Sequence, residues 1–371
     1  MAGKKINVAL VGVGWMGEQH LDAILGNHDY KLVAVADTDQ DRARDKMIEH
    51  HAGSARLAGS YSEVVDMDDV DLIVDASPNS CHELNTHRAL AAGKDVFSEK
   101  PGFVTEERLR NVARTLLINP ERRFFIDYVL NGHRAYDDIS SSLDGRAPPT
   151  QMELFFCHQV GVPRSRDHWK NYEGMINNAG AQAHNHALNL GARILSVSGT
   201  YPLSVQAVFG RREKGNFPID TLWTGKIRYN GGHIDFIAEM DPGQTAASED
   251  DVDGFHVGYH LVVDGSYASR QQIRFNSRAP PTQQLTIIRP DGCVVMPDKD
   301  KAYDPMAGGT EFHPTGNAHR MVADVLLGRT PYEECPLAFA HLAVQATEAL
   351  CLAMIKSNDM GGREVQVQRY L

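Results

Sequence analysis

The segment Gly12-Val13-Gly14-Trp15-Met16-Gly17 constrains this chain more than any other, because of what flanks it. The apolar run Ile6 to Val11 before it reads as a fully buried strand, and Glu18 to Leu25 after it as the opening turns of a helix. A second apolar run, Leu32 to Ala36, ends at Asp37, twenty residues beyond Gly17. Glycines so placed permit a tight turn and close backbone approach to a pyrophosphate, which the positive end of a helix attracts. An acid closing the second strand accepts hydrogen bonds from the adenosine ribose hydroxyls. A glycine triplet alone is weak. Strand, helix, second strand and spaced acid together predict a dinucleotide site contacted by Gly12, Gly14, Trp15, Met16, Gly17 and Asp37. A carboxylate at 37 repels a 2′-phosphate, and Thr38-Asp39-Gln40-Asp41 brings no base to bind one, so NAD is expected rather than NADP. Arg42 and Arg44 stand near enough to keep that choice open.

The first third of the chain continues the pattern. Strand-like runs near 5–11, 31–36, 71–76, 94–98 and 123–128 alternate with helical stretches, including Cys81 to Ala92 and Thr105 to Leu117. Such alternation predicts an α/β fold, a Rossmann doubly wound parallel sheet over residues 1–128. Beyond it the pattern changes. A helix-like stretch at 132–143 and a turn at Gly145-Arg146-Ala147-Pro148-Pro149 precede strand-like segments at 151–158, 203–209, 221–229, 233–240, 256–263, 267–275, 284–289 and 293–296. Short links such as Asn230-Gly231-Gly232 suit antiparallel pairing, and Asp241 to Asp253 reads as an exposed loop. Two helices, near 315–327 and 336–357, close the chain. Residues 129–371 are thus expected to form a C-terminal α+β domain with a large, mainly antiparallel sheet. That domain should supply substrate contacts and the surface of a homodimer or homotetramer.

At 371 residues the chain can bury two cores. Its net charge of −11 argues against nucleic-acid and anionic-membrane partners, which need clustered Lys and Arg. No apolar run approaches membrane-spanning length. The start, Met1 to Lys5 ahead of Ile6 to Leu10, faintly imitates a signal peptide, but Gly12, Gly14 and Gly17 interrupt it and favour a strand. Five scattered cysteines without paired spacing suggest reduced thiols, so a cytoplasmic location is expected.

Two further motifs join the glycine loop. Ser77-Pro78-Asn79-Ser80-Cys81-His82 follows the strand near 71–76 and opens a helix. Ala91-Ala92-Gly93-Lys94-Asp95-Val96-Phe97-Ser98-Glu99-Lys100-Pro101 supplies a helix end, a strand and a turn. With these the chain resembles the glucose–fructose oxidoreductase/inositol dehydrogenase/rhizopine catabolism (Gfo/Idh/MocA) family, closely in the N-terminal domain and by architecture elsewhere. The resemblance implies that Asn79 and His82 lie near the nicotinamide half of NAD, with Ser77, Glu99 and Lys100 also among the cofactor-binding residues. Lys100 would lie beside the reacting carbon, where an ammonium can polarise a substrate oxygen and relay a proton. The bland alternatives are a lysine paired with Glu99 and a helix-start histidine at 82.

The family usually carries Asp, three residues, His, two residues, Asp on a later helix. The best match is Gln182-Ala183-His184-Asn185-His186-Ala187-Leu188-Asn189, in which Gln182 and Asn189 replace the acids and His186 keeps the histidine position. Residues 182 and 186 share a helix face, so Gln182 can orient the His186 ring, though without the charge an Asp brings. A register that uses His184 puts Gly180 four residues earlier and loses that partner. His184 and His186 lie two apart, point in different directions and lack accompanying ligand spacing, so no metal is expected. His158, Arg166, Trp169 and His313 are candidate contacts to substrate hydroxyls, with structural or oligomer roles as equal readings.

The resemblance implies NAD-dependent oxidation of a secondary hydroxyl on a cyclic polyol or sugar. Glutamine in place of aspartate keeps two alternatives open: a hydrolase or lyase of the same fold that uses NAD transiently, and a non-catalytic NAD- or sugar-binding regulator.

Overall fold

A computed structural model describes residues 5–132, 148, 150–159, 179–210, 222–241, 256–264, 271–276, 285–288, 294–295 and 314–370. Arg166, Trp169 and His313 lie outside these residues, as do almost all of the expected helix at 132–143, the 145–149 turn and the 241–253 loop. The side chains of His158, Gln182 and His184 lie outside the description too. The chain divides into two compact units, residues 1–133, 306–344 and 370–371, and residues 134–305 and 345–369.

The first unit is built on a six-stranded parallel sheet of order β3-β2-β1-β4-β5-β6. Its strands are β1 (Ile6–Val11), β2 (Tyr30–Ala36), β3 (Arg56–Ala58), β4 (Leu72–Asp75), β5 (Asp95–Glu99) and β6 (Phe124–Asp127). Val8, Ala9, Leu10, Ile73, Val74 and Phe97 have no solvent exposure, as continuous apolar runs covered on both faces require. The crossovers hold α1 (Trp15–Gly26), α2 (Gln40–Glu49), α3 (Tyr61–Val65), α4 (Asn79–Ala91) and α5 (Glu106–Ile118). Asp39, Ser60 and Thr105 cap α2, α3 and α5 by accepting backbone N–H bonds from Arg42, Glu63 and Arg108. Strand order reverses between β1 and β4, which opens a crevice at their carboxyl ends where such sheets bind ligands.

The expected single boundary at 128/129 differs from this division, because the chain returns to the first unit. Phe125 bridges Ala338 in antiparallel fashion, Ile126 N–H donates to Leu337 O (2.9 Å) and Phe339 N–H donates to Phe124 O (2.8 Å). The returning segment satisfies the otherwise bare edge of β6. The helix before it, α7 (Pro314–Leu326), packs against α1 and buries Ala318, Val322 and Ala323. Residues 337–339 commit their backbone to β6, so the last helix, α8 (Leu342–Asp359), begins six residues later than the periodicity suggested.

The second unit holds a nine-stranded sheet of order β14-β13-β12-β11-β7-β10-β9-β8-β15. Its strands are β7 (Gln151–Gln159), β8 (Pro202–Gly210), β9 (Leu222–Tyr229), β10 (Gly232–Asp241), β11 (His256–Asp264), β12 (Gln271–Asn276), β13 (Leu285–Ile288), β14 (Val294–Val295) and β15 (Val365–Gln366). All pairings are antiparallel except the central β7–β10 pair. One face is buried by Met152, Leu154, Ile234 and Phe236, and α6 (Ala179–Val197) lies on β7 and β10. A Cβ at Gly191 would stand 3.3 Å from Ile234 Cδ1, so the bare glycine allows the helix to sit this close.

Candidate active site

The glycine loop fits a nucleotide. Gly12 has φ +85°, and a Cβ there would stand 2.5 Å from Ala76 O. A Cβ on Gly17 would stand 2.1 Å from Gly12 O, so only glycine lets α1 approach the β1 turn. Gly14 differs: among the described residues, a Cβ there would meet nothing within 4 Å. That open space lies at the start of α1, where no side chain caps the helix, so a bound anion is the group suited to complete it. Trp15 and Met16 form the first turn, with Trp15 exposed.

Asp37 closes β2 and holds the loop in shape. Its Oδ2 accepts the Val13 N–H at 2.8 Å, while Oδ1 accepts the Asp39 N–H at 2.9 Å and Arg42 Nη2 at 2.7 Å. Burial acts to raise its pKa, but these donors outweigh burial and keep the carboxyl below the usual carboxylate range. Arg42, near enough in sequence to leave NADP open, here pairs with the acid. A carboxylate oxygen has two lone-pair directions, so Oδ2 retains one beyond the Val13 bond.

The loops after β4 and β5 meet through His82. Its Nδ1 lies 3.1 Å from Pro101 O and its Nε2 2.7 Å from Ser77 O, with the side chain fully buried. Both ring nitrogens face backbone carbonyls, so His82 ties the two loops together and offers neither nitrogen to a ligand. Asn79 opens α4 and is 7% exposed; Asn85 donates to Ser77 Oγ at 3.2 Å. Buried Glu83 receives the N–H groups of Val104 and Thr105, anchoring the chain just past Pro101.

Lys100, half-buried, follows β5, and its backbone N–H donates to Glu99 Oε2 at 3.1 Å. Glu99 points back into the unit, where a polar cluster the sequence did not reveal is fully enclosed. His20 Nε2 lies 3.1 Å from Glu99 Oε1 and 3.7 Å from Asp127 Oδ2, and His20 Nδ1 lies 2.9 Å from His319 Nε2. Burial alone would lower the His20 pKa, but Glu99 and Asp127 outweigh it and raise His20 above its ordinary value. Burial likewise favours a neutral Glu99, yet the His20 bond and charge hold it below the usual carboxylate range. Burial, then the nearby Glu99 charge, push Asp127 up to about 8. Burial and His20 depress His319 strongly.

In the second unit, His186 is 3% exposed and Asn185 has no exposure, both on α6. Asn189 donates to Thr347 Oγ1 at 3.2 Å and so is occupied within the unit. Backbone geometry puts Gln182 and His186 one helical turn apart, as expected. His158 lies near the end of β7, paired with Met240 and Val257. Lys100 and His186 belong to different units.

Residues 6–122 match the profile of the Gfo/Idh/MocA family, described as an oxidoreductase family with an NAD-binding Rossmann fold. The match is confined to residues 6–122, and its description, an NAD-binding Rossmann fold, agrees with the cofactor expected from Asp37. The inositol 2-dehydrogenase of Rhizobium meliloti is 32% identical over 167 residues, covering 39% of this chain and 47% of that protein. The inositol 2-dehydrogenase/D-chiro-inositol 3-dehydrogenase of Shouchella clausii is 27% identical over 140 residues, covering 38% and 40%. The matches thus span less than half of these relatives. The fold similarity extends further: myo-inositol dehydrogenase from Lactobacillus casei, solved with NAD(H) and myo-inositol, superposes with TM-score 0.72 at 16% identity, covering 98% of this chain and 97% of that one.

Proposed function

We propose that the chain is an NAD-dependent dehydrogenase oxidising a secondary hydroxyl of a cyclic polyol or sugar. The observation that carries this reading is Lys100, set by Glu99 at the carboxyl end of β5, beside the crevice with the ligand-ready glycine loop. Dehydrogenase relatives acting on inositols, matched over less than half of their length, support the same substrate class. NAD, when bound, accepts the hydride from the carbinol carbon. The amides of residues 12–17 would hold its pyrophosphate and Asp37 its ribose hydroxyls. Lys100 polarises the substrate oxygen and relays its proton, and His186, oriented by Gln182, acts as the base. A panel of inositols and aldoses followed by NADH absorbance tests the reading. Turnover of at least one is expected, and silence across the panel overturns it.

Cofactor choice is a separate expected result. Wild type should favour NAD in kcat/KM, whereas Asp37→Ser should shift preference toward NADP. Removing the acid eliminates repulsion and frees Arg42 to meet a 2′-phosphate. A wild type that prefers NADP would show that Asp37 does not face the ribose.

The exposed sheet face of the second unit supports the proposed assembly. Ile237 and Val208 are 44% and 53% exposed, and both pair with Thr224, forming one row across β10, β9 and β8. A second copy covering this face would bury the row. Ile237→Lys should then halve the mass measured by light scattering; a monomeric wild type excludes this interface.

A further inference from the structure

The buried cluster behind Lys100 joins four elements of the first unit: His20 on α1, Glu99 on β5, Asp127 on β6 and His319 on α7. His20 is 1% exposed, Glu99 7%, and Asp127 and His319 have no exposure. Among the described residues, neither oxygen of Asp127 has a hydrogen-bond partner, although His20 Nε2 stands 3.7 Å away. An ionised carboxylate left so bare in a closed interior is costly, whereas a carboxylic acid is tolerated. The neighbouring histidines fit the same proton count. A His20 imidazolium donates from Nε2 to Glu99 and from Nδ1 to a neutral His319. Glu99 then remains anionic, and its other oxygen holds the Lys100 backbone N–H. Three further groups face the cluster: Asp75 at the end of β4 acts on His20, His82 on α4 acts on Glu99, and Tyr30 on β2 donates its hydroxyl to His319 O.

Resting on the dehydrogenase reading of Lys100, we infer that His319, His20, Glu99 and Asp127 form a proton-holding assembly that positions this lysine. Asp127 keeps its proton at neutral pH, and losing it changes the field in which the Lys100 ammonium works. Asp127 is a positioning residue: it acts on Lys100 electrostatically and through Glu99, without touching substrate. With Asp127 neutral, the pocket carries one buried ion pair, His20 with Glu99. When Asp127 ionises, the added negative charge stabilises the lysine ammonium and opposes release of its proton.

The assembly can be tested without turnover. Infrared spectra of the whole protein labelled with ¹³C-aspartate, titrated upward from about pH 7, should show a carboxylic-acid band that disappears near pH 8. Asp95, held up to about 6 by burial, is largely ionised before that range. Asp127→Asn should lack the band. If that variant does not fold, the titration of the unsubstituted protein still decides, because a spectrum without the band overturns the assembly. A divalent ion held stoichiometrically by His20, Glu99 and Asp127 and released by a chelator would also overturn it.

Two readouts then separate positioning from mere packing. In Asp127→Asn the high-pH limb of kcat/KM, where Lys100 gives up its proton, should move to lower pH, because the anionic neighbour is absent; an unmoved limb overturns the link to Lys100. Stability has its own sign. A carboxyl raised by folding binds its proton more tightly in the native state, so its contribution declines as pH rises from the ordinary carboxylate range toward about 8. The Tm of Asp127→Asn relative to wild type should therefore be higher at about pH 9 than at about pH 6, and the reverse slope overturns the protonated state. The infrared band appears whether or not any polyol is oxidised, so failure of the substrate reading and failure of the assembly are distinguishable.

Discussion

Lys100→Ala is expected to lower turnover by roughly two orders of magnitude or more, with NAD affinity changed no more than a few-fold. The size of the loss comes from what the ammonium does in the proposed reaction, polarising the substrate oxygen and relaying its proton. The selectivity comes from the structure. The amides suited to the pyrophosphate belong to residues 12–17 at the start of α1, and the acid suited to the ribose closes β2, whereas Lys100 follows β5. Glu99 grips the lysine through its backbone N–H, which alanine retains, so the local turn should survive the substitution. Steady-state kinetics paired with NADH fluorescence titration checks both halves. Near-normal turnover would remove Lys100 from the chemistry, and a parallel collapse of NAD affinity would assign it to cofactor binding.

His186→Ala should likewise cripple oxidation, by about a hundredfold or more, while His184→Ala should be mild. The reason is the register of α6, in which, of the two histidines, only residue 186 has a hydrogen-bonding side chain one turn earlier, at Gln182. Glutamine can orient the ring but cannot stabilise the imidazolium that forms when the base takes the hydroxyl proton. Gln182→Asp supplies that charge, so the acidic limb of kcat/KM for oxidation should move to higher pH, since a more basic histidine stays protonated longer. An unmoved limb, or a His184→Ala variant as inactive as His186→Ala, would place the base elsewhere.

The local parts of this molecule were legible in the residues. The glycine loop, the strands on either side of α1 and the acid at 37 follow short-range rules: backbone permission at glycine, apolar runs and an uncapped helix start. The strand pattern of the second unit was legible for the same reason, and eight predicted segments from 151 to 296 correspond to strands β7 to β14. The short β3 and the two-residue β15 carried too few residues to leave a periodic signal. His20 was passed over because a single histidine three residues past Gly17 has no partner within reach of any sequence window.

Sequence by itself determined that a Rossmann unit opens the fold, that its acid at 37 favours NAD and that a sheet-rich unit follows, because each depends on neighbours a few residues apart. Only the tertiary structure decided that residues 306–344 return to the first unit and close the edge of β6. It alone brought His319 to within 2.9 Å of His20 from 299 residues away, and Glu99 to within 3.1 Å from 79 away. Contacts of such separation form when buried surfaces and unpaired backbone groups find one another across the fold, and no rule of local spacing records them.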